Sequence, residues 1–101
     1  MLDATRITEL KQEVGLDDFV EVVGIFCEEV EEVLAELPRT PATDMANKLH
    51  FLKGSALNIG MIGVGELCRS EELRLKAMPG EAPDIAAIEA LYQSSKSELI
   101  G

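Results

Sequence analysis

The chain has 101 residues, and its 19 acidic and 9 basic side chains give a net charge of −10 with the single histidine neutral. A chain of this length forms one small domain, so we predict a single domain over residues 1–101. Such a charge repels phosphate backbones and anionic lipids, which argues against nucleic acid or a membrane surface as a partner. With 47% hydrophobic residues the chain is too apolar for a disordered acidic tail, so its acidic side chains must lie on a folded surface.

The cysteines and the N-terminal sequence bear on where the protein resides. Cys27 and Cys68 each fall in an apolar helical stripe, which predicts buried thiols rather than a disulfide framework. The first residues lack a basic region followed by an apolar run, so they do not resemble a signal peptide. No stretch reaches the roughly 18 apolar residues that a membrane-spanning helix requires. We therefore expect a cytoplasmic protein.

Apolar residues recur at helical spacing along nearly the whole chain. A first short helix is predicted over about residues 5–14, and Gly15 ends it because glycine accepts left-handed backbone angles. Asp17 or Asp18 is predicted to cap a second helix that continues to about Leu37. We interpret the outer face of this helix as a solvated acidic face, with a docking surface for a basic partner as the alternative. That face carries Glu21, Glu28, Glu29, Glu31, Glu32 and Glu36.

Three further helices are predicted after Pro38 and Pro41. The third helix spans about residues 42–59, and the glycines that follow it mark a turn or a loosened helix start: Gly60, Gly63 and Gly65. The fourth helix runs to about residue 78, and the fifth covers about residues 83–99. No segment alternates in the manner of a β-strand. The predicted fold is therefore all-α, an antiparallel four-helix bundle with a short additional N-terminal helix.

The third helix carries the only histidine. On a helical wheel, one row of apolar residues defines the side that faces the core: Met45, Leu49, Leu52, Ala56 and Ile59. His50 falls roughly 140° from that row, so we predict that it lies on the outside of the bundle, with Lys48 nearby. Lys53 and Gly54 follow it by three and four residues and flank the imidazole on the same surface. The glycine costs about 1 kcal/mol relative to alanine but leaves room for a bulky group to reach the ring. The surroundings are small and apolar: Ala46, Phe51 and Leu57.

The segment His50-Phe51-Leu52-Lys53-Gly54-Ser55-Ala56, followed by Gly60, resembles the signature of histidine-containing phosphotransfer (HPt) domains. The resemblance implies that His50 accepts a phosphoryl group, expected at Nε2, from a receiver-domain aspartate and passes it to another receiver. It implies that Lys53 holds the phosphoryl oxygens, that Gly54 leaves room for the incoming aspartyl phosphate, and that Ser55 has a minor role. The following helix in this family often offers a polar side chain toward the histidine, for which the candidates are Arg69, Glu72 and Lys76.

The resemblance also implies the partners, which are response-regulator receiver domains and a hybrid histidine kinase. We expect a monomeric phosphocarrier with no cofactor and no metal site of its own, because the receiver supplies Mg²⁺. The sequence contains neither G-x-G-x-x-G nor G-x-x-x-x-G-K-[ST], so phosphorylation directly from ATP is not expected. The residues expected to contact the partner are Ala46, Phe51, Ser55, Leu57 and Glu72.

Three other classes of protein compete with this interpretation. A helical adaptor would bind receiver or kinase domains without being phosphorylated, but it would not need His50, Lys53 and Gly54 together. A di-metal carboxylate bundle requires paired Glu-x-x-His elements, whereas Asn47 stands three residues before the only histidine. A domain cut from a multidomain kinase is the third alternative, and the positions of Met1 and of the last helix favour a free-standing protein.

One position departs from the HPt pattern. The family commonly has an apolar residue three places after the cysteine that corresponds to Cys68, whereas this chain has Glu71. On the wheel, Glu71 falls within the apolar stripe of the fourth helix, and a buried unpaired carboxylate is costly. Either this helix is rotated or shifted, or Glu71 finds a cation or a hydroxyl.

Overall fold

A computed structural model describes residues 1–100. They form five α-helices: α1 (Ala4–Val14), α2 (Leu16–Glu36), α3 (Ala42–Asn58), α4 (Ile62–Ala77) and α5 (Ile85–Ile100), with a 3-10 turn at Leu37–Arg39. No β-strand occurs within this range. Helices α2 and α4 each pack against both α3 and α5, which closes the bundle, and α1 packs against α2. The predicted all-α bundle with an additional N-terminal helix is confirmed.

The junction between α1 and α2 differs from the prediction. Helix α1 is capped by Asp3, whose carboxylate accepts the Arg6 backbone N–H at 3.1 Å. Gly15, with φ of 85°, ends α1 and directly precedes Leu16, the first residue of α2. The prediction that Asp17 or Asp18 caps α2 is therefore wrong. Both aspartates lie in the first turn instead, where their negative charge is favourable beside the positive end of the helix.

The core follows the apolar row predicted on α3. All five residues of that row are at most 8% exposed, and they meet buried side chains from the other four helices. Cys27 and Cys68 are buried free thiols, as predicted. Burial, with a smaller contribution from the nearby Glu72 and Glu71 carboxylates, raises the pKa of the Cys68 thiol to about 12. The Cys68 thiol therefore stays protonated and is poorly reactive at neutral pH.

Glu71 is buried, and it is paired with a cation. Its carboxylate accepts hydrogen bonds from Arg74 Nε and Nη2 at 2.9 and 2.8 Å, and from the backbone N–H of Asp84. Arg74 Nη2 also donates to the carbonyl of Ala82 at 2.7 Å. The Arg74 guanidinium and the Asp84 N–H lower the pKa of Glu71 despite its burial. Glu71, the residue that departs from the HPt pattern, thus holds the α4–α5 connection against α4 together with Arg74.

Close approach of α3 and α4 depends on glycine. Gly60 has φ of 81° in the turn between these helices, whereas Gly63 and Gly65 lie inside α4. A Cβ at Gly65 would lie 2.5 Å from Cδ2 of Leu57, so a larger residue there would displace the Leu57 side chain. The glycines therefore mark both a turn and a helix start, and they let α4 run close beside the face of α3 that carries His50.

Two of the six acidic residues on the outer face of α2 have basic partners. Glu31 accepts hydrogen bonds from Lys96 Nζ at 2.7 Å and from the Tyr92 hydroxyl at 2.6 Å, which joins α2 to α5. Glu36 accepts one from Lys48 Nζ at 2.6 Å, which joins α2 to α3. The bond from Lys96 is the main reason that the pKa of Glu31 is lowered. The interpretation of this face as solvated therefore holds for the four exposed residues, Glu21, Glu28, Glu29 and Glu32, whereas Glu31 and Glu36 are half-buried and paired.

Within residues 1–100, no helix combines the length and the apolar character needed to cross a bilayer.

Candidate functional site

His50 lies in the second half of α3, and its side chain is 67% exposed, as predicted. Two apolar side chains of the same helix are also exposed at this surface, Phe51 at 42% and Leu57 at 41%. A Cβ added at Gly54 would have no atom within 4 Å, so the space one turn beyond the imidazole is open. The structure thus places an accessible imidazole beside a gap and between apolar side chains.

A groove of about 660 Å³ runs along this surface. Three helices line it, and the residues are Arg6, Phe26, His50, Phe51, Gly54, Ser55, Leu57 and Asn58. Ser55 lies toward its base, since only 8% of this residue is exposed. We call this surface the His50 groove. Its walls bring together the histidine, the space at Gly54 and three of the five residues expected to contact a partner, namely Phe51, Ser55 and Leu57.

Glu72 of α4 lies on the Nδ1 side of the His50 imidazole. Its Oε2 is 3.6 Å from Nδ1 of His50, and its side chain is 17% exposed. That separation is longer than a direct hydrogen bond, so the carboxylate acts on the ring through its charge. Oε1 of Glu72 is buried and has no hydrogen-bond partner within residues 1–100. A carboxylate beside Nδ1 favours the tautomer that carries its proton there, which leaves the lone pair on Nε2 at the other end of the ring.

The other two candidates from α4 do not pair with the histidine. Arg69 is exposed and makes no ion pair within residues 1–100, and Lys76 lines a different groove. Glu72 is therefore the polar side chain that α4 directs toward the imidazole. The sequence could not choose among the three, because the choice depends on how α4 is rotated against α3.

The two lysines expected near His50 have different surroundings. Lys53 is half-buried on α3 and makes no ion pair with any residue in the described part of the chain. Its ammonium group is therefore free to meet an incoming anion. Lys48 is instead paired with Glu36 of α2, so its charge is partly neutralised away from the histidine.

Ala46, one turn before His50 on α3, does not line the His50 groove. Ala46 lines a second groove, of about 510 Å³, formed by the start of α3, the end of α4 and the α4–α5 connection. Three residues that line the His50 groove were not predicted from the sequence: Arg6, Phe26 and Asn58. Phe26 has the apolar spacing of a core residue of α2, yet it is only half-buried and lines the groove. Arg6 reaches the groove from α1, and no sequence spacing links α1 to residue 50.

A helical bundle that presents a single histidine on the outside of one helix has the architecture of a phosphotransfer protein. A model of the Hpt domain family matches residues 21–98, which is well over half of the chain. The chain therefore belongs to the Hpt domain family, which supports a phosphotransfer role in two-component signalling and interaction with receiver domains and kinases. Comparisons with curated proteins and with solved structures give no match.

Proposed function

We propose that this protein is a phosphorelay intermediate that carries a phosphoryl group on His50. It accepts the group from the phosphoaspartate of one receiver domain and passes it to the aspartate of a second receiver. The observation that carries the proposal is the His50 side chain, 67% exposed and set beside the open space at Gly54. A protein-to-protein transfer needs such an arrangement, because the donor must bring a bulky phosphorylated side chain up to the ring.

The chemistry of the step follows from the orientation of the imidazole. The lone pair of the neutral ring at Nε2 attacks phosphorus, and a new N–P bond forms. The bond from phosphorus to the receiver aspartate breaks, and that carboxylate leaves with the electron pair. The proton on Nδ1 stays in place, so the ring gains positive charge while the phosphoryl group keeps its negative oxygens. The reverse sequence of events delivers the group to the second receiver.

Two charged side chains of this chain assist the transfer. The negative charge of Glu72, 3.6 Å from Nδ1, favours the positive charge that develops on the ring. The unpaired ammonium group of Lys53 neutralises part of the charge on the phosphoryl oxygens. In this proposal Mg²⁺ belongs to the receiver domain, and the chain uses no cofactor or metal of its own.

The proposal includes a cellular setting. We propose that the protein acts in the cytoplasm as a monomer, between a hybrid histidine kinase and its receivers, without binding nucleic acid or membrane. The net charge of −10 supports this choice of partners, because it disfavours polyanions. Size-exclusion chromatography with light scattering would test the monomer, since a dimer at micromolar concentration contradicts it.

The direct test is incubation with a phosphorylated receiver. A receiver domain is loaded with acetyl phosphate and Mg²⁺, freed of excess reagent and mixed with the wild-type protein or with His50→Gln. We expect the wild-type protein to gain one acid-labile phosphoryl group, located on residue 50 by mass spectrometry, and the variant to gain none. Label on both proteins would contradict the assignment of His50. Receiver binding by both proteins with no label on either would instead establish the helical adaptor.

A further inference from the structure

Helix α1 contributes a basic side chain, Arg6, to the His50 groove. The Hpt domain match begins at residue 21, so the whole of α1 lies outside it. Arg6 is therefore a feature of this groove that membership of the family does not explain.

The guanidinium of Arg6 is held in a fixed orientation. Nε donates to the backbone carbonyl of Asn58 at 2.9 Å, Nη2 donates to Asn58 Oδ1 at 3.0 Å, and Nη1 donates to Glu13 Oε1 at 3.2 Å. The Asn58 carbonyl belongs to the last turn of α3, where the helix dipole favours a cation. An arginine side chain held in this way loses little further freedom when it binds a partner.

Arg6 retains the capacity to bind an anion. Three of its five N–H donors are engaged, so Nη1 and Nη2 each keep one N–H without a hydrogen-bond partner within residues 1–100. Its ion pairs with Glu9 and Glu13 are to side chains 57% and 58% exposed. Exposed ion pairs contribute little stability, so a carboxylate arriving in the groove can replace them.

A second basic residue of α1 provides a contrast. Lys11 does not line the groove; its Nζ lies 5.1 Å from the centre of the Phe19 ring, in a cation–π contact. The two side chains carry the same charge on the same short helix, but only Arg6 reaches the surface that holds His50. Neutralising either side chain changes the net charge of the protein equally. A comparison of variants at Arg6 and at Lys11 therefore separates local binding from long-range electrostatics.

We infer that Arg6 is a specificity-determining residue, whose guanidinium binds an acidic side chain on the receiver domain that docks over His50. The inference rests on the proposed function. Arginine suits the task because its planar fork matches the geometry of a carboxylate. A receiver with aspartate or glutamate opposite Arg6 is selected over one with a neutral or basic residue there, since an unmatched charge in a closed interface is unfavourable.

The test compares phosphoryl transfer from a panel of receiver domains, each loaded with acetyl phosphate and Mg²⁺, to the wild-type protein, Arg6→Gln and Lys11→Gln. We expect Arg6→Gln to lower kcat/KM about tenfold for the preferred receivers, the range for losing a charged hydrogen bond. Arg6→Gln should also reduce the differences in kcat/KM among the receivers and weaken the dependence of the transfer rate on salt concentration. Lys11→Gln, the matched control, should change kcat/KM by less than about twofold.

A third variant separates recognition from a purely structural role. Asn58→Ala removes the Oδ1 contact but keeps the guanidinium, and thermal unfolding monitors the stability of each variant. Because Asn58→Ala keeps the backbone carbonyl that accepts from Nε, it should lower transfer less than Arg6→Gln does. A purely structural role of Arg6 would make Arg6→Gln lower the melting temperature and slow transfer from every receiver by the same factor, which would overturn the inference. Wild-type kcat/KM for Arg6→Gln with every receiver would overturn it as well. Absence of transfer to the wild-type protein would overturn the proposed function, and this inference with it.

Discussion

Substitution of Glu72 with glutamine tests how the charge behind the imidazole acts on the transfer. Glutamine keeps the size of the side chain and an oxygen that can accept a hydrogen bond from the Nδ1–H group, but it removes the negative charge. When the phosphoryl group is joined to Nε2, the ring carries a positive charge that the free imidazole lacks. The substitution should therefore disfavour the phosphorylated form of His50 relative to the free form.

The magnitude follows from the distance between the two groups. Opposite unit charges 3.6 Å apart attract by about 1 kcal/mol in water and about 5 kcal/mol at an effective dielectric constant of about 20. Because the His50 side chain is 67% exposed, the value lies near the aqueous limit, at about 1–2 kcal/mol. An energy of this size changes an equilibrium constant by about 5- to 30-fold.

The assay measures the equilibrium between phosphorylated receiver and phosphorylated His50, reached from both directions at neutral pH. We expect Glu72→Gln to lower the equilibrium constant for transfer to His50 by about 5- to 30-fold. Glu66→Gln is the matched control, because it removes the same charge from an exposed position on α4. It should have an effect below about twofold, the expectation for an exposed and unpaired charge.

Two results would refute this reasoning. Equal effects of Glu72→Gln and Glu66→Gln would mean that the charge acts at long range rather than on the ring. An unchanged equilibrium constant for Glu72→Gln, together with a large loss for Glu72→Leu, would mean that the oxygen atom matters and its charge does not. In that case Glu72 would act only by fixing the tautomer of His50.

Two further predictions concern Gly54 and Glu71. Gly54→Ala should raise the free energy of unfolding by about 0.5–1 kcal/mol, since an added Cβ meets no atom within 4 Å, yet it should slow transfer to His50. Gly24→Ala, inside α2 and equally free of contacts, should stabilise the protein without slowing transfer. Equal rates of phosphoryl transfer to the two variants would contradict this prediction. Glu71→Gln should lower the free energy of unfolding at pH 7 by about 1–3 kcal/mol, because the variant loses its charged hydrogen bonds to Arg74. Since the pKa of Glu71 is lowered in the folded state, its contribution is present above the ordinary carboxyl range and is lost as the pH falls through the folded pKa. Urea titrations should therefore show that the difference in free energy of unfolding between the wild-type protein and Glu71→Gln shrinks below about pH 4. A difference that stays constant with pH would refute the linkage.

Local periodicity was sufficient to predict α3 and the exposure of His50. The apolar row of that helix is regular. The rotation of about 100° per residue places position 50 well away from that row, without reference to any other helix. The same method failed at Asp17 and Asp18, because two helices share the single residue Gly15 as their junction. Capping and turn residues in the sequence do not show that a single residue is enough to connect the two helices.

Contacts between distant segments lay beyond sequence reasoning. Arg74 stands three residues after Glu71, and that spacing was available, but burial of the pair depends on the α4–α5 connection folding over it. Arg6 and Asn58 are joined across 52 residues, and neither has a local signal that points to the other. Glu72 is an intermediate case, since its helix was predicted while the rotation that turns it toward His50 was not.

The distribution of the basic residues explains how a protein with a net charge of −10 can receive an anionic group. Lys48 and Lys96 are paired with glutamates of α2, so their charges hold helices together. Lys53 follows His50 by three residues on α3 and makes no ion pair within residues 1–100. Arg6 lines the His50 groove and is paired with the exposed side chains of Glu9 and Glu13. Salt screens exposed charges over about 8–10 Å, so the charges closest to the imidazole, the Glu72 carboxylate at 3.6 Å among them, act on it more strongly than the rest of the net charge. In the proposed mechanism, local charge at the groove, rather than the net charge of the chain, would therefore govern the approach of a phosphorylated receiver.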